Sequence, residues 1–104
     1  MSLNKIQHSA PTNSTGTGTS AASATITGTA DHTIYITDIA ASSDKSGAIL
    51  LVKDGSTTIW QQIIGATAYW QKFESPLTIT AGNDAVVSVD GTSACKANIG
   101  GFIQ

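Results

Sequence analysis

Arginine is absent from this chain of 104 residues. The guanidinium fork is the side chain best shaped to grip phosphate. Its absence, with a formal net charge of -2, argues against a nucleic-acid partner. Cysteine is almost missing too. Cys95 stands alone, so no intramolecular disulfide can form, and no Cys/His spacing resembles a zinc site. A lone thiol among small residues reads as interior filler, with a reactive thiol as the alternative. Charged residues reach only 12%, against roughly 25% in ordinary soluble domains. No stretch approaches the roughly 18 apolar residues of a membrane span, and the N-terminus lacks the apolar centre of a signal peptide. The chain therefore reads as soluble, made in the cytoplasm and without a membrane partner. It could still leave a cell inside an assembled particle.

What fills the space left by charge is Ser and Thr, roughly a quarter of the residues, and Thr favours strands through its branched Cβ. The length fits one domain. Residues 1–22, MSLNKIQHSAPTNSTGTGTSAA, read as an extended, flexible arm, because a Ser/Thr/Gly/Ala stretch has little to bury. Leu3, Lys5 and Ile6 are the candidate anchors of that arm on a partner; the plain alternative is a passive tail. From Ser23 onward period two and turn residues recur while the helical period never appears. Strands are predicted at 23–29, 33–41, 47–53, 57–64, 67–73, 76–80, 84–90 and 95–103. Between them lie Gly, Pro, Asn and Asp, each suited to a turn. Residues 23–104 are thus expected to form an all-β, antiparallel β-sandwich of jelly-roll type.

The stretch LVKDGSTTIW (Leu51–Trp60) and its surroundings carry apolar residues on both faces of their strands. Alternation sets Ala48, Leu50 and Val52 against Ile49 and Leu51, Ile59 and Ile63 against Trp60 and Ile64, and Tyr69 and Phe73 against Trp70. One face of each strand enters the sandwich and the other needs a cover. The arm, a second copy or a ligand could supply it. A sandwich of this size without disulfide or metal is close to the lower limit for one core, which favours added burial between subunits. A homo-oligomer follows as the expectation, with a closed trimer as its simplest form. Ile49, Leu51, Trp60, Ile64, Tyr69 and Trp70 are its candidate contact residues.

A catalytic site is not expected. His8 lies in the arm, and His32 adjoins Asp31 where neighbouring side chains on a strand would diverge. The acids fall mostly in turns, where a carboxylate bonds nearby amides. No calcium loop or phosphate-binding loop is present, and no cofactor is implied. Trp60, Tyr69 and Trp70 leave a second possibility, since exposed rings stack on sugar. A carbohydrate-binding module recognising a surface glycan is therefore the alternative.

The order of features from Ile26 onward resembles the small all-β structural proteins of tailed-phage and prophage particles. The matching features are "IYITDI", the hairpin at Lys53-Asp54-Gly55, the aromatic positions Trp60 and Trp70, Pro76-Leu77, Gly82-Asn83 and the final "ANIGGFIQ". That resemblance implies a virion structural protein, most fittingly a capsid cement or decoration protein. Such a protein would bind the major capsid protein on the outer capsid as a homotrimer, with the arm gripping the shell. A structural or sugar-binding module of a tail, baseplate or fibre is the alternative within the same resemblance.

Overall fold

The computed structural model describes residues 10–104, with side chains from Thr12 onward. Eight strands follow one another: β1 (Ala10–Gly18), β2 (Ala21–Ile26), β3 (Ile34–Ser43), β4 (Ile49–Asp54), β5 (Thr57–Ile63), β6 (Ala68–Ile79), β7 (Ala85–Asp90) and β8 (Cys95–Ile103). They form two antiparallel sheets of four, ordered β1-β8-β3-β6 and β2-β7-β4-β5. First pairs with last, second with seventh, third with sixth and fourth with fifth. That nested pairing is the jelly-roll wrap, and the all-β sandwich expected from the sequence is the fold observed.

Alternation builds the core. In β2 the pattern is exposed at Ala21, Ser23 and Thr25 and buried at Ala22, Ala24 and Ile26; in β7, Ala85, Val87 and Val89 are the buried set. Facing them from the other sheet are Ile34, Ile36, Ile39, Ile79, Ala97 and Ile99, all buried. Small and β-branched residues dominate this interior. No polar or charged residue is buried among the described residues, so no side-chain polar group in the core needs a partner.

The boundary placed after residue 22 requires correction. Residues 10–18 of the supposed flexible stretch form β1, paired along its whole length with β8, and β2 already begins at Ala21. The physical reason lies in the glycines. A Cβ at Gly16 would fall 1.9 Å from the Ser23 carbonyl oxygen, and one at Gly18 would fall 1.8 Å from that of Ala21. The two sheets meet here backbone to backbone, and only residues without a side chain permit the approach. A sequence with little to bury was thus a sequence shaped to be thin. The candidate anchors Leu3, Lys5 and Ile6, and His8 with them, lie outside the described residues.

A second difference concerns Ser75-Pro76, read as a break between two strands. The chain runs through it as one strand, β6. β6 pairs only with β3, so it is an edge of its sheet, where the missing N–H of proline is tolerated. Residues 73–76 interrupt the ladder there, since the pairing jumps from Lys72 opposite Asp38 to Leu77 opposite Ile36. The hairpin at Asp54 is as expected in kind. Asp54 pairs with Thr57, and Gly55 opens the two-residue loop at φ 64°, the sign that glycine adopts without strain.

The β1–β2 contact gives the first testable outcome. Gly16→Ala should lose about 1–3 kcal/mol of stability by forcing the two backbones apart. Thr17→Val, on the exposed side of the same strand, should stay within about 0.5 kcal/mol. Urea midpoints of the two variants provide the comparison.

Candidate functional site

The six residues expected to form one contact surface are distributed over three places. Trp60, Ile64 and Tyr69 are half-buried and pack against the core, as does Phe73. They fill the side of the sandwich opposite β1 and β2, where the edge strands β5 and β6 face one another across the two sheets. Trp60 meets Phe73 edge-on at 5.7 Å between ring centroids and Tyr69 at 6.4 Å. Such pairings add to burial through the ring quadrupoles. The Tyr69 hydroxyl donates to Gln71 Oε1 at 2.9 Å, which keeps its polar end satisfied.

Ile49 and Leu51 point away from the core on the β2-β7-β4-β5 sheet. In the ladder Ile49 lies opposite Ile63, and Leu51 opposite Gln61. Ile49 is 39% exposed, Ile59 39% and Ile63 68%. Ile59 and Ile63 were recognised from the sequence as one apolar side of their strand, yet they were not among the expected contacts. Their signal was the alternation itself, which set them opposite Trp60. The outer surface here brings Ile49, Leu51 and Ile63 together at the end and edge of a sheet, with Gln61 between Ile63 and Ile59. β5 has no charged residue and no proline, and its far edge has no strand beside it. β6, the neighbouring edge, carries Lys72, Glu74 and Pro76, the kinds of residue that discourage strand addition.

Trp70 stands apart from both groups. It is 63% exposed on the outer surface of the β1-β8-β3-β6 sheet. Beside it lies an open depression of about 340 Å3 lined by Ala40, Ala68, Tyr69, Lys96 and Asn98, among others. Farther along the same surface Tyr35 stacks on Phe102 at 5.0 Å.

The acids hold loops. Asp44 accepts from the backbone N–H groups of Thr92 and Ser93 at 2.8 and 2.9 Å, and from the Ser93 hydroxyl. It thereby ties the β3–β4 connection to the β7–β8 connection. Asp54 accepts from Thr80 Oγ1 at 2.7 Å, from Thr80 N and from Asn83 Nδ2, joining the β4–β5 hairpin to the β6–β7 turn. Asp84 extends that junction, with Oδ1 accepting from Gly28 N at 2.8 Å and its carbonyl accepting from Gly55 N. Asp90 pairs with Lys45 Nζ at 2.7 Å and accepts from Ile49 N. That ion pair is partly solvated, so its strength is modest. His32 sits in the turn before β3, its Nδ1 3.1 Å from Thr29 Oγ1.

These bonds set the protonation behaviour. The Ser93 hydroxyl and amide hold the Asp44 carboxyl far below its usual value of 3.8. The Thr80 hydroxyl lowers Asp54, and Lys45 lowers Asp90. The Cys95 thiol moves the other way, raised first by burial and then by the negative field of Asp44 and Asp90. A raised thiol is a poorer nucleophile at neutral pH. Among the described residues no group of three His, Cys, Asp or Glu side chains converges as metal ligands would.

No family model and no curated protein matches the chain. Among solved structures, the chain is similar to a periplasmic lysozyme inhibitor, PliG, from Aeromonas hydrophila. The identity is 16%, the TM-score 0.38, and the match covers 93% of this chain and 87% of that one. It is also similar to a carbohydrate-binding module of family 36 in complex with calcium and xylotriose, at 15% identity and TM-score 0.48, covering 89% and 98%. A protein of Bacillus endospore appendages, which form disulfide-linked pili, matches at 12% identity and TM-score 0.35, covering 88% of each chain. At such TM-scores these likenesses do not bear on what this chain binds.

Two outcomes follow from the site geometry. Each lowered carboxyl contributes stability that is fully present above the unfolded-state value of 3.8 and is lost as pH falls through the lower folded values. Stability should therefore hold down to about pH 4 and decline below it. Asp44→Asn should flatten that acid limb in denaturant titrations across pH. The two tryptophans should also separate cleanly. Trp60→Ala should lose about 3 kcal/mol by emptying the space between the sheets, whereas Trp70→Ala should change stability by no more than about 0.5 kcal/mol. Thermal or urea unfolding of both variants checks this.

Proposed function

We propose that the protein is a non-catalytic structural subunit that works as a homotrimer on the outer surface of a phage capsid, as a cement or decoration protein. One observation carries the self-association: the outward apolar side chains Ile49, Leu51, Ile59 and Ile63, grouped around Gln61 on the uncharged edge strand β5. An interface core is apolar with charge confined to its rim; in this patch the four apolar side chains are bordered by the Asp90–Lys45 ion pair beside Ile49. Copies packed through it cover the apolar outer side of LVKDGSTTIW, which the sandwich itself leaves open. The particle assignment draws on the resemblance at Lys53-Asp54-Gly55, Pro76-Leu77 and Gly82-Asn83. In this reading Leu3, Lys5 and Ile6 anchor the arm on the major capsid protein.

The mechanism is mechanical. Packaged DNA presses capsid subunits apart, and a trimer touching several subunits at once resists through multivalency. Each added contact forms within an existing complex at high effective concentration, so weak contacts suffice.

Light scattering of the purified protein across a concentration series should give the mass of a trimer. Ile63→Ser should shift it toward monomer without loss of the folded state. Particles lacking the protein should release their DNA at a lower temperature than complete ones. A concentration-independent monomer would defeat the self-association, and equal heat resistance would defeat the cementing role.

A further inference from the structure

The outer surfaces of the two sheets differ in kind. On the β2-β7-β4-β5 sheet, exposed apolar residues adjoin one another. On the β1-β8-β3-β6 sheet, Trp70 is surrounded by polar residues and alanines. Its cross-strand row reads Trp70, Ala40, Asn98, Thr15; the row above reads Ala68, Ser42, Lys96, Thr17; the row below reads Lys72, Asp38, Gly100, Asn13. A large ring 63% exposed in such surroundings is not the centre of a protein interface, which needs apolar neighbours. It suits a ligand that has one apolar face and a polar perimeter.

Three details define that ligand. Ala40 and Ala68 line the depression beside Trp70, keeping its floor low and leaving about 340 Å3 open. That volume is at the lower end of the roughly 300–1,000 Å3 of small-ligand sites. Asn98 Oδ1 accepts from the Thr15 hydroxyl, so its amide nitrogen is left as a donor. Asp38 is set in advance. Thr37 Oγ1 donates to its Oδ1 at 2.8 Å, and its carboxylate lies over Gly100, where a Cβ would come within 2.7 Å of Oδ1. A carboxylate held flat in this way accepts from hydroxyl groups.

Charge narrows the class further. Lys96 lines the depression, and among the described residues the ion pair formed is Lys45 with Asp90, so the Lys96 ammonium has no carboxylate within bonding distance. Lys96, Asn98 and Gly100 follow at every second position of β8. They spread an ammonium, an amide and the Asp38 carboxylate over roughly 13 Å at about 3.3 Å per residue. A polyphosphate or nucleic acid would find no arginine and would meet, between Lys96 and Lys72, the Asp38 carboxylate. A sugar that carries one carboxylate meets the Lys96 ammonium at one end, the ring of Trp70 under its C–H face, and at the other end the Asp38 carboxylate with Lys72 opposite it in the ladder.

We propose that this depression binds a carboxylate-bearing saccharide, with Trp70 as the stacking platform, Lys96 as the counter-ion, and Asn98 and Asp38 as the hydroxyl-binding groups. The site is on the sheet opposite the apolar patch and does not depend on self-association.

The test is a titration of the full chain with 3′-sialyllactose, with trigalacturonate and with neutral lactose. It is followed through the Trp70 indole N–H resonance, which Trp70→Ala identifies by its disappearance. At least one acidic probe should bind, about tenfold or more tighter than lactose. Trp70→Ala should abolish binding, seen by calorimetry, and Lys96→Gln should reduce it to the lactose level. Ile63→Ser, which tests the oligomer, should leave it unchanged. Absence of binding by both acidic probes at millimolar concentration would overturn the proposal. So would equal affinity for lactose, or retained binding in Trp70→Ala.

Discussion

The missing side chains of Gly16 and Gly18 fix the geometry of the whole sandwich. With no Cβ between them, the β1 and β2 backbones close against each other along one side. The opposite side is then left to be filled, and it takes the bulkiest residues available, Trp60, Tyr69 and Phe73. The interior is a wedge: bare backbone at the thin end, alanine, valine and isoleucine through the middle, aromatic rings at the thick end. Close packing requires each region to be filled to its own width. Thus residues that seem unrelated in sequence, the glycines of TGTGT and the inward rings of Tyr69 and Phe73, are two terms of one spatial requirement.

That arrangement explains why none of the six aromatic residues is fully buried. Three rings close the wide side, two stack on an outer surface, and Trp70 stands alone. With the core free of polar groups, side-chain polarity is confined to loops and outer surfaces. In the loops it acts as fastening, since Asp44, Asp54 and Asp84 each join two connections that are far apart in sequence. On the outer surfaces it divides the molecule into one side with exposed isoleucines and another with spaced polar groups.

Much of this was legible in the sequence, for reasons that differ from residue to residue. The alternation of β2, β4, β7 and β8 is strict, so Leu50, Val52, Val87 and Ile99 could be assigned to one side of their strands at once. Alternation also separated Tyr69 from Trp70 correctly. It could not say which of them faces inward, because both are aromatic and period two is blind to the sign of a face. β1 was invisible for a deeper reason: propensity and pattern register side chains, and this strand depends on their absence. Pro76 misled because its meaning is positional, a break in a central strand and harmless at an edge. Ile49 and Leu51 were separated from Ile59 and Ile63 in the sequence reading, since only the ladder shows that Ile49 and Ile63 are neighbours.

The nested pairing also determines how the molecule responds to force. Ala10 and Ile103 are opposite one another at one end of the β1–β8 ladder. Tension applied between these two points acts across the ladder, so its hydrogen bonds open one after another from that end, as in a zipper. Tension between Ala10 and the far end of another strand would instead load many of those bonds together, in shear. The same fold is therefore mechanically soft along one direction and stiff along another, and the points at which it is held select between the two.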